Sequence, residues 1–324
     1  MNEETDLYIP TFDDVLEAHE RVKPYIHRTP ILTSSYFNQL TGAELFFKCE
    51  NFQKAGAFKV RGASNAVFGL SEEQAAKGVA THSSGNHALS LSYAAGRRGI
   101  KASVVMPRTA PEAKKAAVRG YGGEVFECEP STTAREAMLE ELVARTGADF
   151  VHPYNDHRVI AGQATCSLEL LEEVGELDAV VAPIGGGGMI SGTCLTLSNK
   201  SPKTEIYAAE PKNADDAYRS FHAGEIIEDD APNTVADGLK VSLRPRTWHF
   251  VSRYVKDVLL ASEAEIIEAM YLTWQRMKIV VEASSSVPLA TIIKNKEQFA
   301  GKRVGVILTG GNVDLKKLPW NNNL

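Results

Sequence analysis

This chain has little that crosslinks, anchors or recruits nucleic acid. It holds only four cysteines in 324 residues, Cys49, Cys128, Cys166 and Cys194, and no two form a CxxC pair. That count excludes a small disulfide-stapled scaffold. Each cysteine sits in an apolar or mixed segment, as expected of reduced core or near-core residues in a cytosolic protein, and none has neighbours that mark a thiol nucleophile. Long apolar runs are missing too: the longest, such as AVVAPI, fall far short of a membrane span. The start, MNEETDLYIPTFDD, lacks a basic and then apolar leader, so no secretory signal is expected. There is no basic excess, and a net charge of −6 argues against non-specific nucleic-acid binding. Neither GxGxxG nor a Walker GK[ST] occurs, which disfavours a nicotinamide oxidoreductase and a P-loop enzyme.

What remains is ordinary globular material, 44% hydrophobic and 23% charged, long enough for two domains or one large fold with a lobe. Short apolar runs alternate with helical patterns. ELFFKCE, GVATHSS, KASVVMP, GEVFECE, DFVHPY, AVVAPI, EIYAAEP and KRVGVIL read as strands. GNHALSLSYAAGRRG, APEAKKAAVRGYGG, STTAREAMLEELVARTG, a segment around SLELLEEV and the stretch from Gly188 to about Leu197 read as helices. This order predicts an α/β protein with parallel sheets covered by helices. Residues 75–155 form a small lobe in this reading, and 1–74 with 156–324 the larger one. No Gly/Ser/Pro-rich linker divides them, so they share a cleft. Ligands in such folds collect at the carboxyl ends of strands.

Several clusters fall there. In FQKAGAFKVRGA, Lys59 has apolar neighbours. It reads either as a lysine snorkelling to water or as an amine kept uncharged, and so nucleophilic, by burial. The run Gly185, Gly186, Gly187, Gly188 between a strand and a helix suits a phosphate, where one or two glycines would suffice for a turn. In THSSGNH, Ser83, Ser84, Gly85, Asn86 and His87 read as a carboxylate cradle with a proton-shuttling hydroxyl, or as simple helix capping. Thr309 opens the glycine turn TGGN. In EPKNADD, Glu210 and Asp216 could share a hard cation. Spacing alone favours a helix cap at Asp215 or Asp216 and a solvated Glu210.

Lys59 in FQKAGAFKVRG, SSGNH, GGGG and TGGN, together and in this order, resemble the fold-type II pyridoxal-phosphate (PLP) enzymes of the serine racemase and serine/threonine dehydratase family. The resemblance runs from HRTP at 27–30 to GGNVDL at 311–315, and includes VIAGQ and YAAEPKNADD. It implies two open, twisted, mainly parallel sheets with the cofactor in the cleft between a large and a small domain. It implies that Lys59 forms the Schiff base, that Phe58 lies under the ring, and that Asn86 bonds the ring hydroxyl. Gly185–Gly188 would hold the phosphate, and Thr309 would stand against the pyridine nitrogen, where relatives often carry serine or cysteine. Ser84 would face Lys59 across the ring, with Ser83, Gly85, Asn86 and His87 around the substrate. Glu210, the carbonyl of Ala214 and Asp216 would bind Mg²⁺, Mn²⁺ or Ca²⁺. A homodimer without the regulatory C-terminal domain of biosynthetic threonine deaminases is also implied.

Arg135 resembles an arginine of the racemase cleft, and its fork suits a second substrate carboxylate. His152 and Asn155 sit at a strand end and could touch substrate. Ser284–Ser286 depart from the family's EPT or EPS pattern and are expected to add hydroxyls beside the cofactor. These features point to dehydration of 3-hydroxyaspartate to oxaloacetate and ammonia. The alternatives are serine racemisation with serine or threonine dehydration and, in another class, a phosphate-metabolite binder without turnover. A pure binder has no use for Lys59.

Overall fold

The structure, a computed structural model, describes residues 7–229 and 231–320. Ten strands are present among them: β1 Ile31–Leu32, β2 Glu44–Cys49, β3 Val79–His82, β4 Ala102–Pro107, β5 Glu124–Cys128, β6 Asp149–Phe150, β7 Ala179–Pro183, β8 Glu205–Pro211, β9 Asp257–Ala261 and β10 Arg303–Leu308. They form a six-stranded sheet in the order β1-β2-β10-β7-β8-β9 and a four-stranded sheet in the order β5-β4-β3-β6. All pairs are parallel except β1 with β2. Parallel strands buried on both faces read as continuous apolar runs, as AVVAP and VGVIL do. All four cysteines are buried and unpaired. No helix among the described residues is long and apolar enough to cross a membrane.

The smaller sheet draws its strands only from 79–150. Elements that the alternation does not announce include β1, β9 and the helices Phe12–Val22, Glu263–Met277 and Ala283–Lys294. The helix expected around SLELLEEV starts well before that stretch, at His157, and runs to Val174, because the small and polar run AGQATCS is entirely buried against other helices.

Two features of that long helix fix the position of Lys59. The helices Lys59–Phe68 and His157–Val174 meet backbone to backbone. A Cβ on Gly62 would lie 2.7 Å from the Val159 carbonyl oxygen, and one on Gly162 would lie 2.6 Å from Gly62 Cα. Beside this contact, Arg61 is 0% exposed and forks onto Glu50 at 2.7 and 2.8 Å and Glu169 at 2.9 and 2.7 Å, while Lys48 reaches Glu169 at 2.6 Å. Charges taken out of water persist only when paired and hydrogen-bonded, and here each is. Burial alone would raise the Glu169 carboxyl, but Arg61 and Lys48 outweigh it and hold it at about 2.

Candidate active site

Lys59 begins its helix where a loop passes the end of β10. The Phe58 amide donates to Thr309 O at 2.9 Å, Ala57 bridges Gly310, and the Gly311 amide donates to Gly56 O at 2.9 Å. The TGGN turn and the lysine loop are therefore laced together. Lys59 Nζ lies 5.1 Å from the centre of the buried Phe58 ring and donates to Pro153 O at 2.8 Å. Burial lowers its pKa to about 8, against the opposing pull of Glu282. At that value a substantial fraction of the amine is neutral near physiological pH, which a nucleophile requires. The side chain is half-buried and its Nζ is held inside the protein by the Pro153 carbonyl.

The sequence does not single out Glu282, although it opens EASSSVPLA. It is buried, and burial together with the nearby Asp237 raises its pKa to about 8. Asn86 donates to its Oε1 at 2.8 Å and accepts from Asn312 at 2.9 Å. The predicted ring-hydroxyl partner thus stands between the lysine loop and the TGGN turn.

The four glycines follow β7, and the helix Gly188–Lys200 starts on the last of them. Side chains have no room there. A Cβ on Gly185 would come within 2.9 Å of Leu239 Cα, one on Gly186 within 2.5 Å of the Tyr154 ring, and one on Gly188 within 2.9 Å of Tyr154 Cβ. Gly187 has φ +85°, which an L side chain rarely adopts. The loop is buried, and among the described residues none of its four amides has a hydrogen-bond partner. Unsatisfied buried donors at a helix start form an anion site. With a depressed lysine nearby, these residues fit a phosphorylated aldehyde.

Ser83, Ser84 and Gly85 make the turn from β3 to the helix Asn86–Arg98, with the Gly85 amide donating to Ser83 Oγ at 3.3 Å. His87 does not reach outward. It is 2% exposed, its Nε2 lies 3.1 Å from Val151 O, and burial and then Lys59 push its pKa to about 3. It serves the scaffold beneath the turn, because its helical position points it at the chain behind. His152 accepts the Tyr154 and Asn155 amides on Nδ1 at 3.2 and 2.9 Å, which leaves its proton on Nε2. Asn155 Oδ1 accepts the Arg246 amide at 3.2 Å, so this side chain ties its loop to the helix Pro245–Tyr254. Arg135, on the helix Thr132–Thr146, is half-buried, and its charge reaches His82.

The three serines are held inside the protein, with Ser285 next to Thr309. All are buried in the first turns of the helix Ala283–Lys294 and are satisfied within the protein. Ser284 Oγ accepts the Gly238 amide at 3.0 Å, and Ser286 Oγ donates to Glu282 O at 3.3 Å. Ser285 Oγ donates to Gly310 O at 2.7 Å, accepts the Gly310 amide at 2.7 Å and lies 3.0 Å from Thr309 Oγ1. They brace the TGGN turn, and support for a second substrate carboxylate must come from elsewhere.

At the end of β8, Glu210 is fully buried, not solvated, and accepts the Ala217 and Tyr218 amides at 2.9 and 2.8 Å. It caps the helix Asp216–Ala223 in place of the expected aspartate. The Ala214 amide bonds Pro211 O at 3.0 Å, which turns the chain here. Asp216 Oδ2 is buried without a hydrogen-bond partner. Burial raises Asp216 to about 6, and burial with the charge of Asp216 raises Glu210 well above the usual range. Two mutually repelling carboxylates with one orphaned oxygen fit a hard cation. Among the described residues, no cluster of three or more His, Cys, Asp or Glu side chains gathers into a metal site.

Comparison with known proteins gives the same picture. The chain is 70% identical over 315 residues to a beta-hydroxyaspartate dehydratase of Paracoccus denitrificans (strain Pd 1222), covering 97% of this chain and 100% of that one. It is 48% identical to a serine racemase of Dictyostelium discoideum, over 95% and 96% of the two chains. The structure of maize serine racemase superposes with a TM-score of 0.94 at 45% identity, over 96% of each chain. A model of the pyridoxal-phosphate dependent enzymes matches residues 22–310, and this chain belongs to that family.

Proposed function

We propose that the protein removes water from 3-hydroxyaspartate by PLP-dependent β-elimination, releasing oxaloacetate and ammonia. The observation that carries the reading is Lys59, half-buried and depressed to about 8 by desolvation, with a buried glycine loop whose amides have no protein partner among the described residues. In this reading the cleft lies between a large domain of residues 1–74 and 156–324 and a small one of residues 75–155. Gly185–Gly188 hold the phosphate, Asn86 the ring hydroxyl and Thr309 the ring nitrogen, with Phe58 against the ring. Bound there, PLP supplies an electron sink for the pair left on Cα.

Lys59 takes the Cα proton. The Cβ hydroxyl takes up that proton and departs as water, and the resulting enamine tautomerises to an imine. A second water adds to the imine carbon and releases ammonia. The water lost at Cβ balances the water taken up, so the net change is oxaloacetate plus ammonia with no oxidant or reductant. The Ser83–Asn86 turn receives the α-carboxylate. Ser84 moves a proton on the opposite face of Cα, the requirement for racemisation and the basis of the second reading, which the serine racemase relatives favour. Glu210, Ala214 and Asp216 hold a divalent cation. We place the enzyme in the cytoplasm as a homodimer.

A panel of serine, threonine and the four 3-hydroxyaspartate stereoisomers, scored for keto acid, ammonia and the opposite enantiomer, tests this. We expect the highest kcat/KM on a hydroxyaspartate, and loss of enantiomer formation before keto acid formation in Ser84→Ala. Turnover of serine or threonine alone would refute the substrate.

A further inference from the structure

A substrate with a second carboxylate needs a cationic receptor beside Lys59, and the serines do not provide one. Tyr154 follows Pro153, whose carbonyl holds Lys59 Nζ at 2.8 Å. A Cβ on Gly186 would meet the Tyr154 ring at 2.5 Å, and one on Gly187 would meet Leu243 and Thr247, which flank Arg244 in the chain, at 2.7 Å, so Arg244 stands beside the same loop and near enough to Tyr154 for the two to interact. Arg244 precedes the helix Pro245–Tyr254 and is partly exposed. Its Nη1 pairs with Glu228 at 2.7 Å, engaging one position of a fork with five N–H donors. From the other side of the cleft comes the helix Thr132–Thr146, which carries Arg135. The next residue on that helix, Glu136, is close enough for its charge to act on Arg244.

A cluster of aromatic rings adjoins Pro153. The His152 ring meets Tyr154 edge-on at 4.6 Å and His82 at 6.0 Å. Burial, then Arg135, then Arg244 push the His82 pKa to about 4, so the imidazole adds no charge of its own. Arg135 also stands near the start of its helix, where the partial charge of the peptide dipoles is positive and a cation is disfavoured. Both arginines thus act on one imidazole, His82, whose ring neighbour His152 lies on the chain leading to Pro153, the residue that holds Lys59. Such an arrangement is stabilised by an anion set between the two arginines.

We propose that Arg244 is a specificity-determining residue that, with Arg135, grips the distal carboxylate of the substrate across the cleft. The proposal rests on the hydroxyaspartate reading above and adds the group that selects it over serine. Serine has no second carboxylate and gains nothing from Arg244. Glu228 competes for the same guanidinium and keeps it oriented when the cleft is empty of substrate.

The test compares wild type, Arg244→Leu, Arg244→Lys and Glu228→Gln as PLP-loaded enzymes. Succinate, an unreactive four-carbon dicarboxylate, is titrated calorimetrically, and kcat/KM is measured for hydroxyaspartate and serine. Arg244→Leu should weaken succinate and lower the hydroxyaspartate-to-serine ratio by about tenfold to a hundredfold, the range of a lost charge-assisted fork. Lysine should restore part of both, because it keeps the charge without the fork. Glu228→Gln should raise both. Unchanged succinate affinity and an unchanged ratio in Arg244→Leu would overturn the proposal. So would a parallel fall on both substrates with loss of bound PLP, which would assign Arg244 to the cofactor. If wild type produces no oxaloacetate from any hydroxyaspartate, the substrate reading fails, and succinate titration still judges the receptor.

Discussion

Lys59 and Glu282 set the chemistry at the smallest scale. Both titrate near 8, one lowered and one raised by burial. Below that pH the amine is mostly protonated, so PLP uptake by the apoprotein should accelerate as pH rises and level off above about 8. The charge of Glu282 raises the lysine pKa. Glu282→Gln should therefore move the rising limb to lower pH while keeping the acceptor for Asn86. A limb that stays in place in stopped-flow uptake measurements would show that Glu282 does not influence the amine. Lys59 itself stands out because FQKAGAFKVRG, SSGNH, GGGG and TGGN occur together and in order; its neighbours alone leave a snorkelling lysine open. Glu282 does not, since a glutamate at a helix start reads as a solvated end. Its neighbours Asn86 and Gly310 are distant in sequence and come close only when both sheets are in place.

The helix Lys59–Phe68 carries the nucleophile and is anchored by Gly62 against Gly162 and by the network of Arg61, Glu50, Glu169 and Lys48. Removing Arg61 strands two buried carboxylates. Arg61→Met should lower stability by about 3 to 5 kcal/mol in denaturant unfolding, and a loss under about 1 kcal/mol would show that the network relaxes. The pH dependence has a definite sign. Glu169 is depressed in the folded state, so its stabilisation is present above the unfolded carboxylate pKa and is lost as pH falls toward about 2. The strands other than β1 and β9 are readable because apolar runs between glycine turns have no other use at that length. The helix Ala283–Lys294 is not: ASSSV lacks an apolar stripe, Pro288 interrupts it, and tertiary burial overrides both. The same burial gives its three serines partners within the protein.

At the scale of the molecule, two sheets meet so that turns from both surround one lysine. Lys114 of the helix Glu112–Gly120 pairs with Asp237 at 2.8 Å across the cleft mouth, beside the Gly238 amide that Ser284 holds. The fold class and the order of the motifs are open in the sequence. Of the proposed cationic receptor the resemblance points to Arg135 alone; Arg244 is not announced, because its segment meets that part of the cleft only in the folded chain. The proposed cation would sit at the end of β8, binding the folded state alone and stabilising it by mass action. Exhaustive chelation should lower the Tm and Mg²⁺, Mn²⁺ or Ca²⁺ restore it. An unchanged Tm, with no metal found by elemental analysis, would rule the cation out. Everything proposed for the cleft depends on Lys59 carrying PLP. Borohydride reduction of the yellow holoprotein followed by peptide mapping should place the cofactor on the peptide containing Lys59 and on no other. Label on a different lysine, or a colourless protein that takes up no label, would contradict it.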